Sequence, residues 1–169
     1  MKFETTCLHG GYKVEPTTLS RAVPVYRTSS YQFNNTEHAA KLFALQELGN
    51  IYSRLMNPTN DVLEKRVALL EGAHEMAGLS LASGTSGVFY AIINLAQAGD
   101  NIVSARNLYG GTILSLDQDF TRFGIDVHYV DVKDLDAVEE ALKEKETKVL
   151  YCETVTNPLL EVSDLSALA

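Results

Sequence analysis

From Asn57 onward the sequence alternates short apolar runs with amphipathic stretches, several of them closed by glycine, and few folds accommodate that alternation. Asn57-Pro58-Thr59 ahead of DVLEKRVALLEG carries a helix start signal, an apolar stripe (Val62, Val67, Leu70) and a stop at Gly72. MAGLSLAS then predicts a short strand, GVFYAIINLAQAG a helix closed by Gly99, and NIVSA a strand. GTILSLDQDFTRFG predicts a helix and IDVHYVDV a strand. LDAVEEALKEK predicts a helix with Leu135, Val138 and Leu142 on one face, and KVLYCE a strand. DLSALA begins a further helix. Strands alternating with helices build a mostly parallel sheet covered on both faces, so the expected class is α/β with a three-layer α/β/α architecture. Right-handed crossovers place the C-terminal strand ends on one edge, which is where ligands bind in such sheets.

Residues 1–58 lack this regularity. They hold three of the four prolines (Pro16, Pro24, Pro58), scattered aromatics and one predicted helix at about Glu37–Leu48. This composition predicts an extended N-terminal arm that packs on a neighbouring subunit, because alone it buries too little apolar surface. Residues 59–169 are expected to form the first part of the α/β domain. SDLSALA reads as the start of a helix, and a sheet with so few strands would leave an apolar edge open. The chain is therefore expected to be incomplete.

The formal net charge of -8 comes without a Lys/Arg cluster, a field that repels phosphate backbones and anionic membranes. Neither nucleic acid nor membrane is an expected partner. The opening MKFETTCLHGGYK has no apolar core of a signal peptide, and no apolar run approaches the roughly 20 residues of a spanning helix. Cys7 and Cys152 match no zinc or CxxC spacing, so no metal site is expected. They read as reduced thiols of a cytoplasmic protein, with Cys152 packed in the core.

Four motifs carry chemistry. Ser83-Gly84-Thr85-Ser86-Gly87 stands between a predicted strand and a predicted helix. Glycines let the backbone approach an anion, the helix N-terminus offers unpaired N–H groups, and Ser83, Thr85 and Ser86 add hydroxyls. The loop is neither a GxxxxGKS/T nor a GxGxxG pattern, which argues against ATP, GTP or a dinucleotide. A plain capped helix is the competing reading. Tyr109-Gly110-Gly111-Thr112 follows the next strand, where a tyrosine can stack on a flat aromatic ligand, or simply fill a strand-to-helix turn. Glu153, Thr156, Asn157 and Pro158 follow KVLYC on the same edge. An amide there can donate to a ring oxygen, and a solvated turn is the alternative. Asn50-Ile51-Tyr52-Ser53-Arg54-Leu55-Met56-Asn57-Pro58-Thr59 is the most distinctive stretch: Arg54 offers a planar fork suited to phosphate and Tyr52 a hydroxyl.

In this order and spacing, NIYSRLMNPT, ASGTSG, LYGGT and ETVTNP resemble the Cys/Met-metabolism enzymes that use pyridoxal 5'-phosphate (PLP). The resemblance runs from Leu8-His9-Gly10-Gly11 to the end of the chain. NIYSRLMNPT, with GDNIV and RFGI, is most similar to the O-acetylhomoserine sulfhydrylase branch. Cystathionine synthases and lyases and methionine γ-lyases usually carry another residue at Met56. The resemblance implies the large domain of a fold-type I PLP transferase and a homo-oligomer, a dimer of dimers in the complete enzyme. It also implies a small amino-acid substrate. Tyr52 and Arg54 would reach the cofactor phosphate of the partner subunit. Ser83, Gly84 and Thr85 would bind their own subunit's phosphate, Gly84 and Thr85 through backbone N–H groups. Tyr109 would stack on the pyridine ring and assist catalysis. Asn157 would meet the ring hydroxyl oxygen, with Glu153 in support. Thr85 departs from relatives that carry Met or Gln, a change that backbone contacts tolerate.

PLP chemistry needs a Schiff-base lysine and an acid beside the pyridine nitrogen. In the family these lie in an H-S-x-T-K-type turn and a D-N-T-type strand end, neither of which occurs here. Lys2, Lys13, Lys41, Lys65, Lys133, Lys143, Lys145 and Lys148 are expected on helical or charged faces, none after a strand at the ligand edge. The chain alone is expected to be inactive. Three readings stay open: a segment of an O-acetylhomoserine sulfhydrylase; a segment of a sibling cystathionine γ-synthase, γ-lyase or methionine γ-lyase; and a non-catalytic paralogue that binds a full-length partner.

Overall fold

A computed structural model describes residues 1–169 apart from the side chain of Glu144. The chain divides into two compact units, Met1–Ser80 and Leu81–Ala169.

In the first unit, α1 spans Phe3–His9, α2 Thr36–Phe43 and α3 Pro58–Leu70. Helix α3 starts where the sequence predicts: the Asn57 side chain accepts the Thr59 N–H at 2.9 Å and Pro58 needs no donor. It ends at Gly72, whose φ of +71° suits glycine. Helix α1 packs on α3, and the LHGG signature explains how closely. A Cβ on Gly11 (φ +73°) would lie 2.7 Å from Lys65 Cβ, and Arg66 Nε donates to the Gly10 carbonyl at 2.9 Å. The seven residues of α1 bury only Thr6, so no apolar stripe announces this helix in the sequence. Asn35 caps α2, which stops short of the predicted Leu48 because Leu45 turns to φ +55°.

Two further expectations fail in this unit. Val67 is exposed, and the buried face of α3 is formed by Val62 and Ala68. MAGLSLAS forms no strand. A Cβ on Gly78 would stand 2.3 Å from the Glu64 carbonyl oxygen, so this backbone lies hard against α3. The Ser80 N–H and Oγ both donate to Glu64 Oε1 at 2.8 Å. A strand exists only by pairing, and this segment satisfies polar groups on a helix. By packing, α3 therefore groups with α1 and the 78–80 loop, so the compact unit extends past residue 58 to Ser80.

The second unit contains α4 (Gly84–Leu95), β1 (Asn101–Ala105), α5 (Gly110–Ser115), β2 (Asp126–Val130), α6 (Leu135–Glu144), β3 (Thr147–Tyr151) and α7 (Leu165–Leu168). One π-helical turn, Leu116–Phe120, follows α5. The strands are ordered β2-β1-β3 and both pairings are parallel, with Ile102 opposite Val127 and Val149. Strand β1 is buried along its whole length, including the polar Asn101 and Ser104. Alternate residues serve opposite faces. Ile102, Val127 and Val149 pack with Ile92, Leu116 and Phe120 on one side, while Val103, Val130 and Leu150 pack with Val138, Ala141 and Leu168 on the other. Helices thus cover both faces of a parallel sheet, as the alternation predicts. Of the expected α6 stripe only Val138 is buried; Leu135 and Leu142 are exposed, and Ala141 takes the inner place.

Candidate active site at the carboxyl edge of the sheet

The loops after β1 and β3 meet at the edge where both strands end. Glu153, two residues past β3, joins them: Oε1 accepts the Tyr109 N–H at 3.1 Å and Oε2 accepts the Asn157 N–H at 3.2 Å. Its own carbonyl accepts Ser163 Oγ–H at 2.7 Å. Tyr109, Glu153 and Asn157, predicted separately, are therefore parts of one construction. Half of the Tyr109 surface is open to solvent. The Tyr109 ring occupies the space a Cβ on Gly111 would need, 2.5 Å from Cε1, so the second glycine of LYGGT is what lets the ring lie there.

A second carboxylate on the same loop braces it. Glu161 Oε2 accepts from Asn107 Nδ2 at 2.7 Å, and Lys133 Nζ lies 2.7 Å from Oε1. Lys133, and then Asn107, hold this carboxyl below its usual range. The Thr156 N–H donates to the Glu161 carbonyl and the Glu161 N–H to Thr156 Oγ1, closing the loop on itself. Glu161, Asn107 and Lys133 were not singled out from the sequence. Asn107, an amide two residues before Tyr109 at a strand end, is the signal that could have pointed to them. Lys133 also corrects an expectation: it stands three residues beyond β2, at the ligand edge, with its charge committed to Glu161.

Helix α4 reaches this edge as well. The short turn 96–100 reverses the chain, so α4 runs back antiparallel to β1, and it packs on α5 and β3. Ser83 caps it: Oγ accepts the Ser86 N–H at 3.1 Å and lies 2.9 Å from Ser86 Oγ. The cap leaves the first-turn N–H groups of Gly84 and Thr85 open, and both residues are exposed. No side chain crowds Gly84, where an added Cβ would meet nothing within 4 Å. Cys152 packs partly buried against the core, and burial pushes its thiol up.

Tyr52 and Arg54 belong to the first unit, both exposed, with the Arg54 guanidinium 5.5 Å from the Tyr52 ring centre. The rest of their motif is scaffold. Ser53 is tied to the Thr28 carbonyl, Asn57 Nδ2 donates to the Tyr26 carbonyl at 3.0 Å, and Thr59 Oγ1 donates to the Pro24 carbonyl at 2.9 Å. NIYSRLMNPT thus clamps the arm and presents Tyr52 and Arg54 outward. A cavity of about 440 Å³ in this unit, lined by Tyr12, Val14, Pro24, Tyr26 and Val62 among others, includes none of the predicted site residues. Among the described residues no helix is long and apolar enough to cross a membrane.

The donors at the edge fit PLP in kind. Open helix N–H groups and hydroxyls suit a phosphate, an exposed tyrosine ring suits a flat heterocycle, and a side-chain amide suits its hydroxyl.

Residues 4–169 match the Cys/Met metabolism PLP-dependent enzyme family. The chain is 53% identical over 169 residues to O-acetyl-L-homoserine sulfhydrylase 1 of Thermus thermophilus, covering all of this chain and 40% of that protein. It is 52% identical over 168 residues to O-acetyl-L-homoserine sulfhydrylase of Leptospira meyeri, covering 99% and 37%. A crystal structure of an O-acetylhomoserine (thiol)-lyase from Campylobacter jejuni, which carries N'-pyridoxyl-lysine-5'-monophosphate, superposes with a TM-score of 0.90 at 42% identity, over 99% of this chain and 40% of that one. The chain spans about two fifths of the length of the curated relatives it matches. The fold is that of the fold-type I PLP enzymes, of which these residues hold an incomplete, three-stranded part of the sheet. By sequence and by fold, the chain belongs to the Cys/Met-metabolism family of PLP-dependent enzymes.

Proposed function

We propose that this chain is a segment of an O-acetylhomoserine sulfhydrylase, which makes homocysteine and acetate from O-acetylhomoserine and sulfide. One observation carries the reading: the match to sulfhydrylases, at more than half identity, extends over the whole chain or nearly so. Bound PLP supplies the electron sink for carbanion chemistry on the amino acid. The Gly84 and Thr85 N–H groups, beneath the Ser83 cap, hold the cofactor phosphate. Tyr109 stacks on the ring and takes part in proton traffic, Asn157 donates to the ring hydroxyl oxygen, and Glu153 supports both. Tyr52 and Arg54 serve the phosphate of a partner subunit, their outward presentation fitting a contact across an interface. Residues 1–58 act as the arm that reaches that neighbour, in a homo-oligomer that is a dimer of dimers when complete. Two free thiols, Cys7 and Cys152, fit a cytoplasmic location.

The test is assay of the protein as its natural gene encodes it, with PLP, O-acetylhomoserine and sulfide. Release of homocysteine is expected. Cystathionine formation with cysteine as the preferred acceptor, or cleavage of cystathionine or methionine, would move the protein to a sibling activity. The 169-residue chain alone is expected to release no homocysteine, because none of its lysines stands in an H-S-x-T-K-type turn, and Lys41, Lys65, Lys133, Lys143, Lys145 and Lys148 are ion-paired to carboxylates. Turnover above that of free PLP would contradict this.

A further inference from the structure

We infer that Glu153 is a positioning residue whose carboxylate clamps the two loops bearing Tyr109 and Asn157. The inference rests on the PLP reading above. A carboxylate has two oxygens, and here each accepts a backbone N–H: Oε1 from Tyr109 and Oε2 from Asn157. The bonds run 44 and 4 residues along the chain, so one side chain fixes the distance between a loop after the central strand and a loop after an outer one. Ser163 Oγ–H on the Glu153 carbonyl holds the clamp's own backbone, 2.7 Å away. What the clamp delivers is geometry: the Tyr109 ring and the Asn157 side chain are exposed to the ligand edge while their backbones are tied to one anion.

A neutral amide replaces one acceptor oxygen with a donor group facing a donor, so Glu153→Gln releases one loop and repels it. Glu153→Asp keeps both acceptors one methylene short and restores part of the clamp. The experiment is hydrogen exchange by mass spectrometry, together with the cofactor absorption band and the melting temperature, on the protein as its gene encodes it. In Glu153→Gln, exchange in peptides covering 106–112 and 153–158 is expected to rise about tenfold, the scale of a lost charge-assisted hydrogen bond. The band is expected to shift or weaken and the melting temperature to stay close to wild type, with Glu153→Asp intermediate. Unchanged exchange in both peptides overturns the clamp. So does exchange raised uniformly with a lower melting temperature and an unmoved band, which describes a residue that only stabilises the fold. A wild-type protein that shows no cofactor band with PLP overturns the cofactor reading itself, a separate outcome.

Discussion

The Tyr109 ring lies over the Cα of Gly111, so close that a Cβ on Gly111 would stand 2.5 Å from Tyr109 Cε1. The second glycine of LYGGT is thus the one that makes room for the aromatic ring.

Gly111→Ala is therefore expected to push the Tyr109 ring out of position. Because half of Tyr109 faces solvent, the ring can swing outward and stability should change by less than about 1 kcal/mol. Loss of a stacking contact of about 1 kcal/mol lowers PLP affinity roughly fivefold. Absorbance titration of the variant and of wild type, in the protein as encoded, is the check, and equal affinities would remove Tyr109 stacking from the account.

Gly78→Ala should destabilise the first unit far more than an ordinary surface change. Its Cβ would meet the Glu64 carbonyl oxygen at 2.3 Å, backbone against backbone, with no flexible side chain to yield. Overpacking of this kind costs about 1–3 kcal/mol. Denaturant unfolding measures it; a cost within about 0.5 kcal/mol would mean the loop does not lie on α3 as described.

Asn57→Ala removes an α3 cap and, at the same stroke, the amide donor to the Tyr26 carbonyl. A lost cap alone costs about 1 kcal/mol, and the second contact should take the total toward 2 kcal/mol. Asn57→Asp keeps the cap and loses the donor, so it should fall between the two. If Asp and Ala unfold alike, the cap contributes nothing.

Acid should loosen the Glu161 brace. Lys133 and Asn107 depress its folded-state pKa below the ordinary carboxylate value. For a depressed acid, the stabilisation is fully present above the unfolded pKa and disappears as pH falls through the folded one. The loss therefore begins below the usual glutamate range near 4.5 and continues toward lower pH. Lys133→Met should move the Glu161 titration upward in a carboxyl NMR experiment, and added salt should move it the same way, because the pair is partly exposed and open to screening. A titration indifferent to Lys133 would contradict the ion pair.

Much of the second unit was legible from local chemistry. NIVSA and KVLYC are strands and α4 and α6 are helices because periodicity, caps and glycine stops act within a few residues, and the structure keeps all of them. The residues at the site were legible singly for the same reason: Ser83 before a helix, Tyr109 after one strand, Glu153 after another. MAGLSLAS misled because an apolar run becomes a strand only if a partner backbone is there, and Glu64 on α3 took its polar groups instead. Val67 misled because helical spacing names a face without saying which neighbours will cover it.

What the sequence determined by itself was the α/β class, the strand-end edge that forms the candidate site and the identity of most residues on that edge. Only tertiary structure decided that β1 is the middle strand, that Lys133 answers to Glu161, and that both Glu153 oxygens turn back on the loops they join. Apart from the Glu153–Asn157 bond, those relations link residues tens of positions apart. Side-chain periodicity carries no information over that range, and hydrogen bonds and ion pairs form only once folding has brought their partners within about 3 Å.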